Sequence, residues 1–260
     1  MSARPDAATY FGGRTTLYDS RYDAVNAEGH ALRARLTAVL RCLGSGPGEV
    51  LDAGMGPGRL CGELALRDWT VSGIDASGEM VEVARERLPD RAAALLQAEI
   101  EALPFDDESF DAVAATGVLE YADVPRALAE LARVLRPGGI AVVSYPNPEA
   151  WYAIWKTRVF YPAVRAAKGL LDRGKPPAGS GLRLRPAQFT RLLRLYGLEP
   201  TEVIPASFLV VPSPLDELLP VASERVARML EGRQSTSRRF ATQIVFAARK
   251  SERPESPQPR

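Results

Sequence analysis

From residue 48 to residue 147, short apolar runs alternate with stretches whose apolar positions recur every three or four residues. The runs are predicted strands: 48–54 (GEVLDAG), 70–75 (TVSGID), 93–99, 110–116 (FDAVAAT) and 139–145 (GIAVVSY). The fourth is apolar at consecutive positions, as expected of a strand covered on both faces. Helices are predicted between them at 59–67, 78–88 and 124–135. The last carries Leu128, Leu131, Val134 and Leu135 at helical spacing. It should stop at Arg136-Pro-Gly-Gly, where proline cannot extend a helix and glycine permits the turn. Strands that alternate with helices predict a parallel sheet with helices on both faces.

After Pro146 the rhythm changes. Residues 149–172 read as one or two helices with Trp151, Trp155, Phe160 and Tyr161, broken near Pro162. A basic, Gly/Pro-rich connection (173–185) leads to a helix at 186–196, a strand at 202–208, a helix around 214–231 and a strand at 240–248. Upstream of the core, HALRARLTAVL is a helical run. The chain thus divides into an N-terminal helical segment (1–45), a core (46–147), helical insertions with the remaining strands (148–250) and a tail (251–260). The tail, SERPESPQPR, is rich in proline and charge and is expected to be disordered.

Composition narrows the function. A formal net charge of +1 over 260 residues gives no general reason to expect a nucleic-acid partner. No apolar run is long enough for a transmembrane helix, and the start lacks the apolar stretch of a secretory signal. Cys42 and Cys61 make neither a disulfide framework nor a spaced metal site, which suits a reducing, cytoplasmic setting. With a single histidine and no convergent acidic cluster after the fourth strand, no metal is expected.

The chemistry concentrates in VLDAGMGPGRL (50–60), where a strand ends and Gly54, Gly56 and Gly58 turn the chain into a helix. Glycine lets backbone approach a ligand where a Cβ would collide. The dinucleotide fingerprint G-x-G-x-x-G would need glycine at Arg59. Asp52, at the mouth of the loop, would repel a pyrophosphate but suits an ammonium group. About twenty residues beyond the glycines, the second strand ends in Asp75, placed to accept both hydroxyls of a ribose. AEIEALPFDDESFD (98–111) then sets Glu99 just after a strand.

These segments, together with LRPGGIAVVSYPN (135–147), resemble the class I S-adenosylmethionine-dependent methyltransferases, notably the branch with ubiquinone/menaquinone-biosynthesis and natural-product enzymes. The resemblance covers 48–147 closely and the rest in broad plan. It implies a Rossmann-like α/β fold: a mostly parallel seven-stranded sheet, an N-terminal helical lid and helical cap insertions. It implies S-adenosylmethionine as cofactor and S-adenosylhomocysteine as product. By position, Gly54, Gly56 and Gly58 would line the methionine and sugar portions, and Asp75 would take the ribose diol. Glu99 and Ile100 would meet the adenine, with glutamate where aspartate is commoner. Met80 packs either on the adenine or in the helix–sheet core. Thr116, opening TGVLEY (116–121), would touch cofactor and substrate. Tyr121 stands where members often carry histidine.

Methyl transfer from a sulfonium needs alignment and water exclusion above all, and a base only when the acceptor is a neutral hydroxyl. Glu120 and Tyr121 are catalytic candidates on the substrate side, and His30 is the one histidine available. In the N-terminal segment Tyr18 is a candidate cofactor contact, Tyr22 a substrate contact and Arg14 a carboxylate partner; all three could equally pack a lid. Trp151, Trp155 and Arg183 are further substrate candidates. The basic, aromatic stretch 151–175 suits a cap over an apolar pocket, an interfacial helix on an anionic membrane, or a solvated face. The expectation is an enzyme methylating a small apolar or aromatic acceptor, oxygen preferred, quinone-like or a natural product. A non-catalytic cofactor-binding regulator is the alternative.

Overall fold

The structure, a computed structural model, describes residues 20–160, 162, 184–209, 218–231 and 239–252. Tyr18, Arg14, Arg183, most of the 161–183 stretch and the end of the tail lie outside them. In chain order the elements are α1 (Ala27–Leu43), β1 (Gly48–Ala53), α2 (Arg59–Ala65), β2 (Trp69–Asp75), α3 (Gly78–Arg87), β3 (Ala92–Gln97), β4 (Phe110–Ala115), α4 (Val124–Val134), β5 (Leu135–Pro146), α5 (Trp151–Trp155, continued by a π-helical turn Lys156–Phe160), α6 (Pro186–Leu195), β6 (Leu198–Phe208), α7 (Pro220–Glu231) and β7 (Ala241–Lys250).

The seven strands form one sheet in the order β3-β2-β1-β4-β5-β7-β6. The first five run parallel, and β7 pairs antiparallel with both β5 and β6. This is the mostly parallel, seven-stranded Rossmann-like sheet that the sequence led us to expect. Successive side chains on a strand point to opposite faces, so the apolar runs feed two cores. On β1, Val50 packs with α1, α2 and α3 through Val39, Leu64 and Val81, while Leu51 packs on the other face with Leu128 and Leu131 of α4. On β4, Ala112 and Ala114 join the first core and Val113 and Ala115 the second.

Local chemistry starts the helices where they are needed. Asn26 caps α1 by accepting from the Gly29 N–H at 2.8 Å, and Asp123 caps α4 from the Arg126 N–H. Phe189 of α6 is fully buried between Tyr145 of β5 (ring centroids 4.5 Å apart, stacked) and Phe246 of β7 (4.8 Å).

Two boundaries differ from the sequence expectation. The chain does not turn over four residues after α4: Leu135 is already extended and pairs with Phe110, and a register shift before Ala112 absorbs the Pro-Gly-Gly stretch within β5. β6 begins at Leu198, ahead of the predicted 202, despite Pro200. It is the edge strand, where a proline sacrifices no ladder bond if its missing N–H faces outward.

Replacing Phe189 by alanine should cost about 3–5 kcal/mol, the usual range for emptying a buried aromatic site; urea unfolding of the full chain measures it.

Candidate active site

Strand order reverses between β1 and β4, because β2 and β3 lie to one side of β1 and β5 to the other. Chains leaving adjacent parallel strands in opposite directions open a crevice at their carboxyl ends. A cleft of about 770 Å³, counted out to its open mouth, sits there. Gly54, Gly56, Ile74, Asp75, Met80, Glu99, Ile100, Thr116, Gly117 and Tyr121 are among its walls.

The loop after β1 has this shape for steric reasons. Gly54 has φ +81°, and a Cβ on it would come 2.7 Å from Cβ of Val118 in the loop after β4. Gly56 has φ +53° and nothing within 4 Å of where a Cβ would stand. Gly58 is not part of the cleft wall; it precedes α2 and lies against Ala84 of α3. One carboxylate organises the loop: Asp75 Oδ2 accepts from the Gly56 N–H and Oδ1 from the Ser77 N–H, both at 2.9 Å. Burial raises the pKa of Asp75, and the two backbone bonds partly offset this. Each carboxylate oxygen keeps a lone pair for another donor.

Asp52 lies behind the loop and not in the cleft wall. It is buried within β1; Oδ2 accepts weakly from the Cys61 thiol at 3.4 Å, and Oδ1 has no protein partner. Desolvation pushes this carboxyl up to about 7, with the thiol bond opposing and the charge of Asp75 adding.

On the β4 side the wall is Thr116, Gly117, Val118 and Tyr121. Glu120 is not in that wall. Its Oε2 lies 3.5 Å from Gln243 Nε2 of β7, and burial raises its pKa against the positive charge of Arg35 on α1. Arg35 is itself buried, and its guanidinium presses on Gly117: a Cβ there would come 3.0 Å from Nη1. The Gly117 N–H donates to Ser144 Oγ of β5 at 2.9 Å. Gln243 Oε1 is buried without a hydrogen-bond partner. Thus Arg35, Glu120, Gln243 and Ser144 form a polar niche beside the cleft wall. Sequence reasoning found only Glu120 among them. The others come from α1, β5 and β7, and no local motif announces them.

The remaining candidates fall elsewhere. His30 is half-buried on α1 and Tyr22 is buried just before it; neither lines the cleft. Tyr22 instead lies under the Arg59 guanidinium (4.7 Å to the ring centroid), and Arg59 also pairs with Asp23 at 3.0 Å, which latches the segment onto the start of α2. Trp151 lines a second, shallower groove with Ile154, Arg158, Arg185 and Arg239. Trp155 packs against Tyr152 and Phe160.

Comparison with known proteins bears on this geometry. Residues 51–143 match the family described as a methyltransferase domain. Over 165 residues the chain is 39% identical to a demethylmenaquinone methyltransferase of Thermus thermophilus, covering 59% of this chain and 74% of that one. It is 34% identical over 155 residues to a malonyl-[acyl-carrier protein] O-methyltransferase of Salmonella typhimurium, covering 56% and 59%. The chain spans about half the length, or less, of other curated relatives it matches. A solved S-adenosylmethionine-dependent methyltransferase from Thermotoga maritima, titled a possible histamine N-methyltransferase, superposes with TM-score 0.60 at 21% identity over 94% of this chain and 99% of that one, which speaks for the fold. A glycine loop tied to a carboxylate at the second strand, on this sheet and with these relatives, has one interpretation: the chain belongs to the class I S-adenosylmethionine-dependent methyltransferases.

Proposed function

We propose that this chain is a cytoplasmic enzyme that methylates a hydroxyl oxygen of a small apolar or aromatic acceptor, quinone-like or a natural product. The observation that carries the proposal is the pairing of a nucleoside-sized cleft, with Asp75 at its lip, and a desolvated carboxyl, Glu120, directly behind its wall. The name of the Salmonella relative favours oxygen, and that of the Thermus relative favours a quinone-like acceptor.

The residues suit the cofactor of the family. Asp75 has acceptor capacity left for a diol, Met80, Ile74 and Ile100 offer apolar surface to a flat base, and Glu99 offers an acceptor to an exocyclic amine. Gly54 and Gly56 leave room for the chain to lie against backbone, and Thr116 bounds the β4 side. Asp52 Oδ1 is a buried acceptor without a partner, and a carboxyl so placed suits a cationic group. When bound, S-adenosylmethionine supplies a methyl on a positive sulfur, already activated for displacement. The protein's own work is then alignment, water exclusion and handling one proton. Glu120 is assigned as the base for the acceptor hydroxyl, with Arg35 favouring its charged form and Tyr121 orienting the acceptor. Residues 1–45 serve as lid and N-terminal helical segment, 46–147 as cofactor core and 148–250 as cap insertions with the last strands of the sheet. Tyr22 is assigned to the lid and Trp151 and Trp155 to the cap, as are Tyr18 and Arg183 outside the described residues. His30 and Gly58 are assigned to packing.

Calorimetric titration should show S-adenosylmethionine and S-adenosylhomocysteine binding and NADH not. Asp75→Ala should weaken the first two by roughly tenfold to a hundredfold, the range for bonds to a charged group. Binding of NADH alone would overturn the proposal.

Asp52 makes a second test. Its folded pKa of about 7 lies above its ordinary 3.8, so the stability it contributes is full below about pH 4 and is lost as pH rises to about 7. Asp52→Asn should therefore match the parent protein near pH 4 and exceed it near pH 8 by on the order of a few kcal/mol in urea unfolding, while binding S-adenosylmethionine less tightly. Equal affinity would remove Asp52 from the cofactor site.

With an acceptor in hand, Glu120→Gln should lower kcat by about 10²–10⁴ and leave S-adenosylmethionine affinity unchanged.

A further inference from the structure

The helix α7 buries Ala227 against Phe208 and Ala241, yet otherwise turns polar side chains inward and apolar ones outward among its described residues. Ser223 and Glu224 are buried at 1% and 7% exposure, whereas Leu218 and Leu219 just before it, and Val221 and Met229 within it, are exposed, Leu218 at 71% and Met229 at 66%. The inward polar groups are satisfied: Glu224 holds Arg33 of α1 at 3.3 Å and Arg228 at 2.8 Å, and Ser223 Oγ donates to the Pro220 carbonyl at 2.8 Å. The outward apolar row has no such compensation in water.

It is not an isolated oddity. Of the eleven exposed large apolar residues among the described ones, eight belong to α5 with its π-helical turn or to α7 and the residues just before it. Both elements stand at the carboxyl edge of the sheet, α5 after the end of β5 and α7 between the end of β6 and the start of β7. At that edge the Trp151 N–H, at the start of α5, donates to the carbonyl of Arg239, just ahead of β7, at 2.7 Å. Exposed Leu66 and Leu195, by contrast, lie at the opposite edge, before β2 and β6.

Charge decides what this face fits. Arg158, Arg225 and Arg239 are exposed and make no ion pair among the described residues, and Arg158 and Arg239 line the groove with Trp151 and Ile154. Glu149, an exposed acid in the same groove, is already paired with Arg185 at 3.4 Å. A second copy docked face to face would oppose arginine to arginine. No described helix is long and apolar enough to cross a membrane. Leucine, valine, methionine and tryptophan flanked by arginines that make no ion pair among the described residues is the composition of a surface resting in the headgroup region of an anionic bilayer. We propose that the α5–α7 edge docks on an anionic lipid surface. The inference is independent of methyl transfer.

The test is co-sedimentation of the full chain with vesicles of phosphatidylcholine alone and of phosphatidylcholine mixed with phosphatidylglycerol, with light scattering of the free protein. Binding should be confined to the anionic vesicles, fall with added salt, and drop roughly thirtyfold for the pair Arg158→Gln and Arg239→Gln, at about fivefold per arginine near the surface. Val221→Ser with Met229→Ser should abolish it, while Leu66→Ser with Leu195→Ser should not change it. Because all these side chains are exposed, thermal melts should show each variant folded. Tryptophan emission should shift to the blue on anionic vesicles, less so in Trp151→Phe. No binding to either vesicle would overturn the proposal, as would equal binding by the Val221/Met229 variant. A dimer that this same variant splits, with no vesicle binding, would instead assign the face to a second copy.

Discussion

Two hydrogen bonds, from the Gly56 and Ser77 amides to one carboxylate, hold the functional end of this molecule in shape. Asp75 ends β2 and Gly56 sits in the loop leaving β1, so the bonds join the exits of neighbouring strands and the start of α3. They act where the sheet changes direction, and the cleft exists because the loop is held back there. The Gly54 and Met55 amides reinforce the arrangement by donating to the Ile74 carbonyl of the same strand. The glycines are needed because this path leaves no space for a side chain at Gly54 and holds Gly56 at φ +53°, a conformation that residues with a side chain rarely adopt.

The same region holds charge in an apolar setting, which soluble proteins tolerate when a partner or a task compensates. Asp52 has only a thiol, and its carboxyl is drawn toward the neutral form. Glu120 fares better because Arg35 and Gln243 face it, from an upstream helix and from the last strand. The two carboxyls belong to neighbouring parallel strands, Asp52 within β1 and Glu120 in the segment after β4. Both carboxyls thus stand in largely desolvated surroundings beside the cleft.

Around this core, α1 acts as a strap. Its Arg35 reaches the niche, its Arg33 reaches Glu224 of α7, and Ser207 of β6 donates to its Ala31 carbonyl. The inverted polarity of α7 follows from that strap: an arginine pointing outward from α1 needs an acid pointing inward, which leaves the apolar residues of α7 outside.

The alternation of apolar runs with helical spacing was enough to find every core strand and helix, because period-two and period-3.6 burial are properties of contiguous residues. The glycine loop, Asp75, Glu99 and Tyr121 were legible for the same reason: each belongs to a short segment at a strand end, and strand ends of a parallel sheet converge. What the sequence could not disclose were the contacts between distant segments. Arg35 meets Gly117, Glu120 meets Gln243, and Arg59 covers Tyr22 only once the sheet is assembled. Asp52 read from sequence as a residue at the mouth of the loop; the fold turns its side chain inward, away from the cleft wall. The strand predicted at 202–208 begins at Leu198, and its place on the sheet edge makes Pro200 compatible with β6. Local pattern determined which residues form strands and helices, while tertiary structure decided which charges meet, because hydrophobic periodicity is written along the chain and electrostatic partnership is written across it.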